Sequence, residues 1–572
     1  MKERIKCPKP QKKVSTAPAR PGRRTFANDA EKIKSRQTQE IVIALCGFVG
    51  SGVSTVSKRL KNAFESYGYL TNEVKISKII KNKLNITDIP SDKGKCIKQL
   101  QDAGLKLRTE HGDDVLASEA VVQIRTNREK LRVRLLNMPD SLAEEIDKAL
   151  EKLGNSRDDE LRTVTIIDNI KHKAELDLLR AIYGDMFFLF GIICPEETRR
   201  KRLSLNKRIK DSEASQIIEL DRKYQDPDGH GVQVAKVLCE ADFFLSNEKE
   251  HIKNINPKIA RFIELILGIN AHSPTRAEFA MCCAEASAMR SACISKQVGA
   301  CIVTEFGDIL SVGRNDVPKF GGGLYTCDDQ TNDNRCAFRY NGQCKNDEIK
   351  GNIENDIFAK LCEKFENIND SDKEKIAKLV AGMDRIKGIT EYSRAIHAEM
   401  DAITSAARNG GNGLKNATLY CTTFPCHNCA RHIVSSGIKR VYYIEPYDKS
   451  LAFDLHDDSI VLDKPEGGDE NHLRINQFEG VAPRVYLRLF KADERKAKGR
   501  LFDLDPFSAK PKIRKALDTV EYHEDITLKS VNDRHNSPAS TGGHSVQTST
   551  PTKPITPIQS DEPELPPGGK SA

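Results

Sequence analysis

The chain has 572 residues, of which 38% are apolar and 30% are charged. This length exceeds one ordinary domain, and the composition is typical of packed globular proteins, so we expect two to four domains. No segment approaches the roughly 20 uninterrupted apolar residues of a membrane helix, and the N-terminal segment lacks the apolar core of a secretory signal. We therefore expect a cytoplasmic protein with no membrane segment.

The net charge of +8 is concentrated in one terminal segment. Residues 1–39 hold 12 Lys and Arg against 3 Asp and Glu, a balance of +9, so the rest of the chain is nearly neutral at −1. Without hydrophobic periodicity, this segment is predicted to be a disordered basic tail, either simply solvated or in contact with nucleic acid or a regulatory partner. Residues 510–572, with their Ser-Pro and Thr-Pro pairs, are predicted to form a second flexible tail.

Between the tails, residues 40–270 alternate apolar strands with helical patterns. Strands are predicted at Ile41–Cys46, Thr163–Asp168, within the apolar run Met186–Cys194, and at Ala241–Asn247, with a helix beginning near Ser54. Strands that alternate with helices are typical of a parallel sheet. The prediction is an α/β domain.

A glycine-rich loop joins the first strand to its helix, with the sequence Gly-Phe-Val-Gly-Ser-Gly-Val-Ser-Thr from residue 47 to 55. In this context such a loop predicts a P-loop, whose backbone N–H groups surround phosphates. Val53 stands where a P-loop has lysine, which argues against phosphoryl transfer. Asp168 resembles the acid beside Mg²⁺ in nucleotide kinases. We expect nucleotide binding with Mg²⁺, or alternatively a retained fold that binds nothing, and the residues concerned are Gly47, Gly50, Ser51, Gly52, Ser54, Thr55 and Asp168.

A second domain is predicted over residues 271–500. After a helix that follows Ser273-Pro274, further helices are expected from His397 and from Cys426. The strands are expected at Gln297–Thr304, Ile309–Arg314, Ala417–Thr423, Arg440–Glu445 and Val485–Phe490. A polar insertion over 318–387 interrupts this alternation.

Two short motifs carry the chemistry of this domain, namely His397-Ala-Glu399 and Pro425-Cys426-His-Asn-Cys429. This pair of motifs is a known pattern of zinc nucleobase deaminases. One imidazole and two thiolates supply three tetrahedral ligands to Zn²⁺ and leave the fourth position for water, whose pKa the metal lowers. Glu399 is predicted to be the catalytic acid and base rather than a ligand.

The second domain resembles the deoxycytidylate deaminase branch of the cytidine deaminase superfamily. Further similarity lies in the Val-Gly-Ala at 298–300 and in Gly313-Arg-Asn-Asp, where the family has Gly-Tyr-Asn-Gly. The resemblance implies an α/β/α sandwich, a sugar contact at Asn315, an aromatic residue near the base at Tyr447, and assembly into a homo-oligomer. Because the Tyr and the second Gly are missing, the resemblance does not extend to effector binding at that loop.

The order of the domains is similar to that of bacterial antiphage dCTP deaminases, in which a P-loop kinase-like domain precedes the deaminase. That resemblance implies free cytosine nucleotides as substrates, with dCTP or dCMP converted to dUTP or dUMP so that the dCTP pool is depleted. A polynucleotide deaminase is the competing enzyme class, although the absence of Trp and the 6% aromatic content disfavour a stacking platform for single strands. A nucleotide-sensing protein with a structural zinc is the non-enzymatic alternative.

The polar insertion contains three cysteines, Cys327, Cys336 and Cys344. Three thiols in a stretch with little core character predict either a second, structural metal site or a surface loop with free thiols. Their spacing matches no known zinc module, so both alternatives stay open at the level of sequence.

Overall fold

The computed structural model of the protein describes residues 28–29, 33, 36–88, 90–136, 162–207, 209–222, 229–248, 255–269, 272–365, 369–410, 413–447, 449–462, 471–492, 496–497, 499–501 and 504–536. Most of the predicted basic tail, and residues 537–572 of the second predicted tail, lie outside this range. None of the helices in the described part of the chain combines the length and apolar content that crossing a membrane requires.

The strands, in chain order, are β1 Ile41–Cys46, β2 Leu70–Lys75, β3 Thr163–Asp168, β4 Phe187–Ile193, β5 Phe243–Ser246, β6 Gly299–Val303, β7 Ile309–Arg314, β8 Thr418–Thr423, β9 Arg440–Glu445, β10 Ile460–Leu462, β11 Leu473–Gln477, β12 Gly480–Val481, β13 Lys496–Ala497 and β14 Arg500–Leu501. The α-helices are α1 Val53–Ser66, α2 Ile76–Lys83, α3 Lys93–His111, α4 Val115–Leu136, α5 Lys173–Tyr183, α6 Glu196–Lys207, α7 Asp211–Arg222, α8 Val234–Cys239, α9 Ile255–Leu267, α10 Arg276–Ala288, α11 Lys345–Lys364, α12 Asp370–Gly382, α13 Asp384–Lys387, α14 Ala398–Arg408, α15 His427–Ser435, α16 Ala452–Leu455, α17 Pro483–Phe490 and α18 Leu517–Asn536. Short 3₁₀ turns occur at Gly184–Met186, Cys327–Asn332 and Tyr340–Gly342.

The first sheet has the strand order β12-β5-β4-β1-β3-β2. Its strands β1 to β5 are parallel, with Ile41 opposite Val164 on β3 and Val42 opposite Phe187 on β4. Every residue of β1 is buried, as expected for a central parallel strand with both faces covered. The prediction of a parallel α/β sheet is confirmed, and strands β1 and β3 begin and end at the predicted residues.

The second sheet has the order β10-β11-β9-β8-β6-β7. Strands β8 to β11 are parallel to one another, whereas β6 runs antiparallel to both β7 and β8. This sheet supports α14 and α15, the two helices that carry the predicted metal ligands. Gly313 on β7 permits the close approach of α14, because a Cβ on Gly313 would lie 2.2 Å from the carbonyl oxygen of Ala398.

The two sheets share a boundary that the sequence does not reveal. Strand β12, which follows the second sheet in the chain, pairs antiparallel with β5 at the edge of the first sheet. The ring of Phe478, just before β12, packs edge-on against Phe244 of β5 at 6.0 Å between centroids. One apolar cluster therefore extends from Val42 in the first sheet to Tyr420 in the second.

Two expectations are wrong in the described residues. The last predicted strand, Val485–Phe490, is part of helix α17, which starts with Pro483 and turns its buried residues Val485 and Leu489, four apart, toward one side. The predicted flexible tail from residue 510 contains helix α18 instead. Glu524 of α18 is fully buried and anchors the helix to the first domain through Arg128.

Candidate active site

The predicted metal ligands converge at the first turns of α14 and α15. His397 immediately precedes α14 and Cys426 immediately precedes α15, with strand β8 between the two helices. The Nδ1 atom of His397 lies 3.3 Å from Sγ of Cys426 and 3.4 Å from Sγ of Cys429. A tetrahedral zinc ion with ordinary Zn–N and Zn–S bonds would hold such atoms about 3.5 Å apart, so the three side chains fit this metal. In the part of the chain that the structure describes, they form the one group of three or more potential ligands within 4.8 Å of one another.

The electrostatics of the three side chains favour a thiolate. Contacts with the Cys429 thiol and the His397 ring, together with the backbone N–H of Cys429, lower the pKa of Cys426 to about 4. The same contact with Cys426 raises the pKa of His397 to about 9, and burial and Cys426 raise that of Cys429. These contacts favour a thiolate at Cys426, which is the form in which a thiol binds a metal cation.

Glu399 lies on the first turn of α14 and is buried against the ligand group. Burial raises the pKa of its carboxyl group, and the Cys429 thiol is among its neighbours. The carboxyl group is not one of the three clustered ligands. A buried carboxyl group with a raised pKa, beside a metal position, is suited to accept and return a proton.

The rim of the site includes residues that the motifs do not indicate. The side-chain amide of Asn428, between the two cysteines, donates to Glu391 Oε1 at 3.3 Å and to Thr390 Oγ1 at 3.4 Å. His427 Nε2 lies 3.7 Å from the same Glu391 oxygen. Residues 390–391, which follow the insertion, therefore contact the first turn of α15 through hydrogen bonds and a charged pair. No periodicity or motif marks Glu391, because its role depends on a contact with a residue 37 positions away.

The two predicted substrate contacts have different surroundings. The side chain of Asn315 is buried and bridges a loop, with Nδ2 donating to the Lys296 carbonyl and Oδ1 accepting from Val298 N, both at 2.7 Å. Tyr447 is half-buried and packs against the apolar cluster that contains Cys426. A base contact at Tyr447 and a sugar contact at Asn315 both stay predictions. For the sugar contact, the Asn315 amide would have to bind the sugar in addition to the backbone groups of Lys296 and Val298.

The glycine-rich loop forms the predicted tight turn between β1 and α1. Gly50 and Gly52 have φ values of 83° and 87°, a backbone conformation that residues with a side chain rarely adopt. Ser54 on α1 donates its hydroxyl to Asp168 Oδ2 at 3.2 Å, and burial raises the pKa of Asp168. Thr55 lies on the exposed side of α1.

Other side chains close around the loop. The buried carboxylate of Asp221 accepts the backbone N–H of Val49 at 2.6 Å, which occupies a donor that a phosphate would otherwise use. The loop carbonyl of Ser51 accepts from Asn247 at 2.7 Å and from Arg202 at 3.2 Å. Val53, in the lysine position, is buried in an apolar cluster. The contact from Asp221 was not expected, since this residue lies 172 positions from Val49.

The three cysteines of the insertion are not gathered into a metal site. Cys327 is exposed at the start of a 3₁₀ turn, and Cys344 immediately precedes helix α11. All three cysteines lie among the described residues, yet their sulfurs form no group of potential ligands there. This arrangement does not support the second metal site that the sequence offered as an alternative, and that site stays a prediction.

Residues 274–445 match the family model described as the cytidine and deoxycytidylate deaminase zinc-binding region. The chain is 33% identical over 162 residues to the deoxycytidylate deaminase of Enterobacteria phage T4, a match that covers 28% of this chain and 72% of that protein. It is also 22% identical over 210 residues to a UPF0200 protein of Saccharolobus islandicus, with 37% of this chain and 86% of that protein covered. A solved dCMP deaminase from cyanophage S-TIM5, in complex with dCMP and dUMP, is 19% identical with a TM-score of 0.21, over 36% of this chain and 100% of that one.

Three findings point to the same family. They are the 33% identity to the phage T4 protein, the match to the zinc-binding region, and the cluster of His397, Cys426 and Cys429. The chain belongs to the deoxycytidylate deaminase family.

Proposed function

We propose that this protein is a zinc-dependent deaminase that hydrolyses the 4-amino group of cytosine deoxynucleotides, with dCTP, dCMP or both as substrates. The observation that carries this proposal is the placement of a buried carboxyl group, Glu399, beside three ligand atoms that fit one tetrahedral metal. His397, Cys426 and Cys429 would hold the Zn²⁺. When bound, zinc supplies Lewis acidity that makes hydroxide available near neutral pH.

The residues of the chain account for the remaining steps. Glu399 takes one proton from the water that attacks C4 and delivers it to the ring nitrogen. It then takes the remaining proton of the new C4 hydroxyl and delivers it to the amino group, so that the C4–N bond breaks, the C4 carbonyl forms and ammonia leaves. Its burial keeps the carboxyl group able to hold that proton between the two transfers. Tyr447, beside the ligand cluster, would pack on the base, and Asn315 would contact the sugar.

The test is a set of substrates given to the zinc-loaded protein and to Glu399→Gln. Cytidine, CMP, dCMP, CTP, dCTP and a cytosine-containing single-stranded DNA are incubated separately, and the uracil products are measured by mass spectrometry. Uracil from dCMP or dCTP alone is the expected result. Conversion of the DNA but not of the mononucleotides would establish the polynucleotide class instead, and zinc content without any turnover would favour the sensing protein.

We also propose that the glycine-rich loop binds a nucleotide phosphate with Mg²⁺. The contact between Ser54 and Asp168 supports this, because a hydroxyl and a carboxylate are the oxygen ligands that Mg²⁺ takes beside a phosphate. With Val53 buried in the lysine position, we expect binding without phosphoryl transfer. Calorimetric titration with ATP and with dCTP, in the presence and absence of Mg²⁺, tests the proposal. Asp168→Asn should abolish any Mg²⁺-dependent part of the binding, and the absence of such a part from the wild-type protein would refute it.

The biological role that we propose with this activity is depletion of the dCTP pool during phage infection. Cells that express the chain should lose dCTP and accumulate deoxyuridine nucleotides after infection, whereas cells with Glu399→Gln should not. An unchanged dCTP pool in infected cells with active protein would contradict this role.

A further inference from the structure

Three cations surround one tyrosine ring in the insertion. The Nζ atom of Lys345 lies 4.5 Å from the centroid of the Tyr340 ring, and the guanidinium carbons of Arg339 and Arg394 lie 4.9 Å and 5.2 Å from it. Each cation is attracted to the ring face, yet the three repel one another. The ring itself is 40% exposed, so a molecule from solvent can reach this group. We call these four residues the Tyr340 cluster.

The positive charge of the Tyr340 cluster is only partly neutralised. Lys345 pairs with Glu348 at 2.7 Å. Arg339 donates to the side-chain oxygen of Asn334 at 2.7 Å, and Arg394 donates to the Asn334 carbonyl at 3.1 Å, so both arginines contact neutral acceptors. Arg394 also lies 3.9 Å from the Cys336 sulfur. Among the residues that the structure describes, neither arginine forms an ion pair with a carboxylate, which leaves two positive charges to an external anion.

A helix N-terminus adds to this positive region. Helix α11 has 20 residues and begins with Lys345, and the residue before it, Cys344, makes no side-chain capping hydrogen bond. The N–H groups of its first turn and its dipole favour an anion at the position of the cluster, and Asp347 and Glu348 in the same turn offset part of that positive field. The backbone there is also strained, because Tyr340 and Asn341 both have φ of 54°. Strain of this kind persists where the surrounding structure holds a functional conformation.

The Tyr340 cluster is connected to the zinc site by short contacts. Arg394 is three residues before His397 in the chain. The buried amide of Asn346, on the first turn of α11, donates to the Ile389 carbonyl at 2.9 Å. The next residue, Thr390, accepts from Asn428 between the two zinc-binding cysteines. The start of α11 and the first turn of α15 thus contact the same segment, residues 389–391, from two sides.

We propose that Arg339, Lys345 and Arg394, arranged around Tyr340, bind the 5′-phosphate groups of the nucleotide whose cytosine lies at the zinc site. This inference depends on the proposed deaminase function and names the residues that select a nucleotide over a nucleoside. The guanidinium groups offer paired donors to phosphate oxygens, and Lys345 offers a point charge at the helix start. A triphosphate would engage more of these donors than a monophosphate does, so discrimination between dCTP and dCMP would depend on the same residues.

The test compares Arg339→Gln, Lys345→Gln and the double variant with Lys378→Gln, a control on α12 whose side chain is 75% exposed in a pair with Glu374. Steady-state rates are measured with dCMP, dCTP and deoxycytidine, which has the same base and sugar without phosphate. Since a hydrogen bond to a charged group typically changes affinity by about 10-fold or more, the double variant should lose at least about 10-fold in kcat/KM for dCMP and dCTP, mainly through KM. The rate with deoxycytidine, and every rate of the control, should stay within about twofold.

A second measurement does not require turnover. Binding of dCMP to the zinc-loaded Glu399→Gln protein is titrated by calorimetry, with and without the two additional substitutions. We expect about 10-fold weaker binding in their presence. Equal affinity for dCMP in both proteins would overturn the inference while leaving deamination intact. If the double variant lost as much kcat/KM for deoxycytidine as for dCMP, the residues would have a structural role and the inference would be wrong. The inference would also be wrong if the KM for dCMP were unchanged and only the response of the rate to added dCTP were altered. A wild-type protein that converts no cytosine nucleotide would instead refute the proposed function, and the titration would still decide on phosphate binding.

Discussion

The carboxylate of Glu278 is predicted to contribute strongly to stability, because it joins elements of both sheets. It accepts two hydrogen bonds from the Arg261 guanidinium, each of 2.8 Å, and one from the buried N–H of Val481 on β12 at 2.9 Å. It also accepts the backbone N–H of Thr275 at 2.7 Å, which completes the capping box of α10. Only 1% of the Glu278 side chain is exposed, whereas Arg261 is 22% exposed. The pair is therefore largely shielded from water on the carboxylate side.

Replacement of Glu278 by alanine removes all four contacts. Breaking a buried ion pair at one partner typically costs about 3–5 kcal/mol, since the remaining groups lose their partners without regaining full hydration. Because Arg261 can turn toward solvent, the main loss of stability comes from two hydrogen bonds. Leaving the buried Val481 N–H without its acceptor costs about 1–3 kcal/mol, and losing the helix cap costs about 1 kcal/mol. We expect a destabilisation of about 2–4 kcal/mol, which corresponds to a fall in Tm on the order of 10 °C for a domain of this size.

The matched control is Glu374→Ala. Glu374 and Lys378 also form an ion pair of 2.8 Å, but their side chains are 70% and 75% exposed. Pairs of this kind contribute about 0–1 kcal/mol, so the control should change Tm by no more than about 3 °C. Calorimetry and fluorescence, followed on both variants, measure the shift. Because Glu278 lies on α10, which packs against the second sheet, and binds Val481 on β12 of the first sheet, the unfolding transitions of both should move. Equal shifts in the two variants would refute the argument that burial rather than distance determines the contribution of an ion pair.

Three further predictions concern the active site and the C-terminal helix. Glu399→Gln should keep one zinc per chain in metal analysis and lower kcat by about 10²–10⁴-fold, and an unchanged kcat would contradict its role in proton transfer. Treatment with a chelator should abolish turnover in the wild-type protein and Zn²⁺ should restore it, whereas Cys429→Ser should regain neither zinc nor activity. Glu524→Ala should lower the free energy of unfolding by about 3–5 kcal/mol, because it leaves the buried Arg128 with one partner, Glu40. Tyr183→Phe removes one hydrogen bond of 3.1 Å to the same carboxylate and should lower it by about 1 kcal/mol. Urea unfolding of the two variants should rank them in that order, and the reverse order would contradict the assignment of Glu524 as the anchor of α18.

The sequence by itself determined the features that depend on residues close together in the chain. Strands β1, β3, β7 and β9 were predicted to the residue, because continuous apolar runs ended by polar or glycine residues leave little choice of boundary. The motifs around His397 and Cys426 predicted the ligand group, since the first turns of two helices on one parallel sheet edge bring such residues together. The positive-φ turn at Gly50 and Gly52 likewise followed from the glycines themselves.

Only the tertiary structure decided the features that depend on distant partners. Val485–Phe490 was predicted as a strand because a short apolar stretch fits either period, and the helix prevails where Val485 and Leu489 both pack into the core. Helix α18 buries Val520 in the apolar core and also makes the buried contact between Glu524 and Arg128, which are 396 residues apart. The bond from the Val49 N–H to Asp221, that from the Val481 N–H to Glu278 and the approach of Arg394 to Tyr340 have the same origin. Each is a polar contact across the fold, and no local pattern of apolar residues encodes which polar groups will meet there.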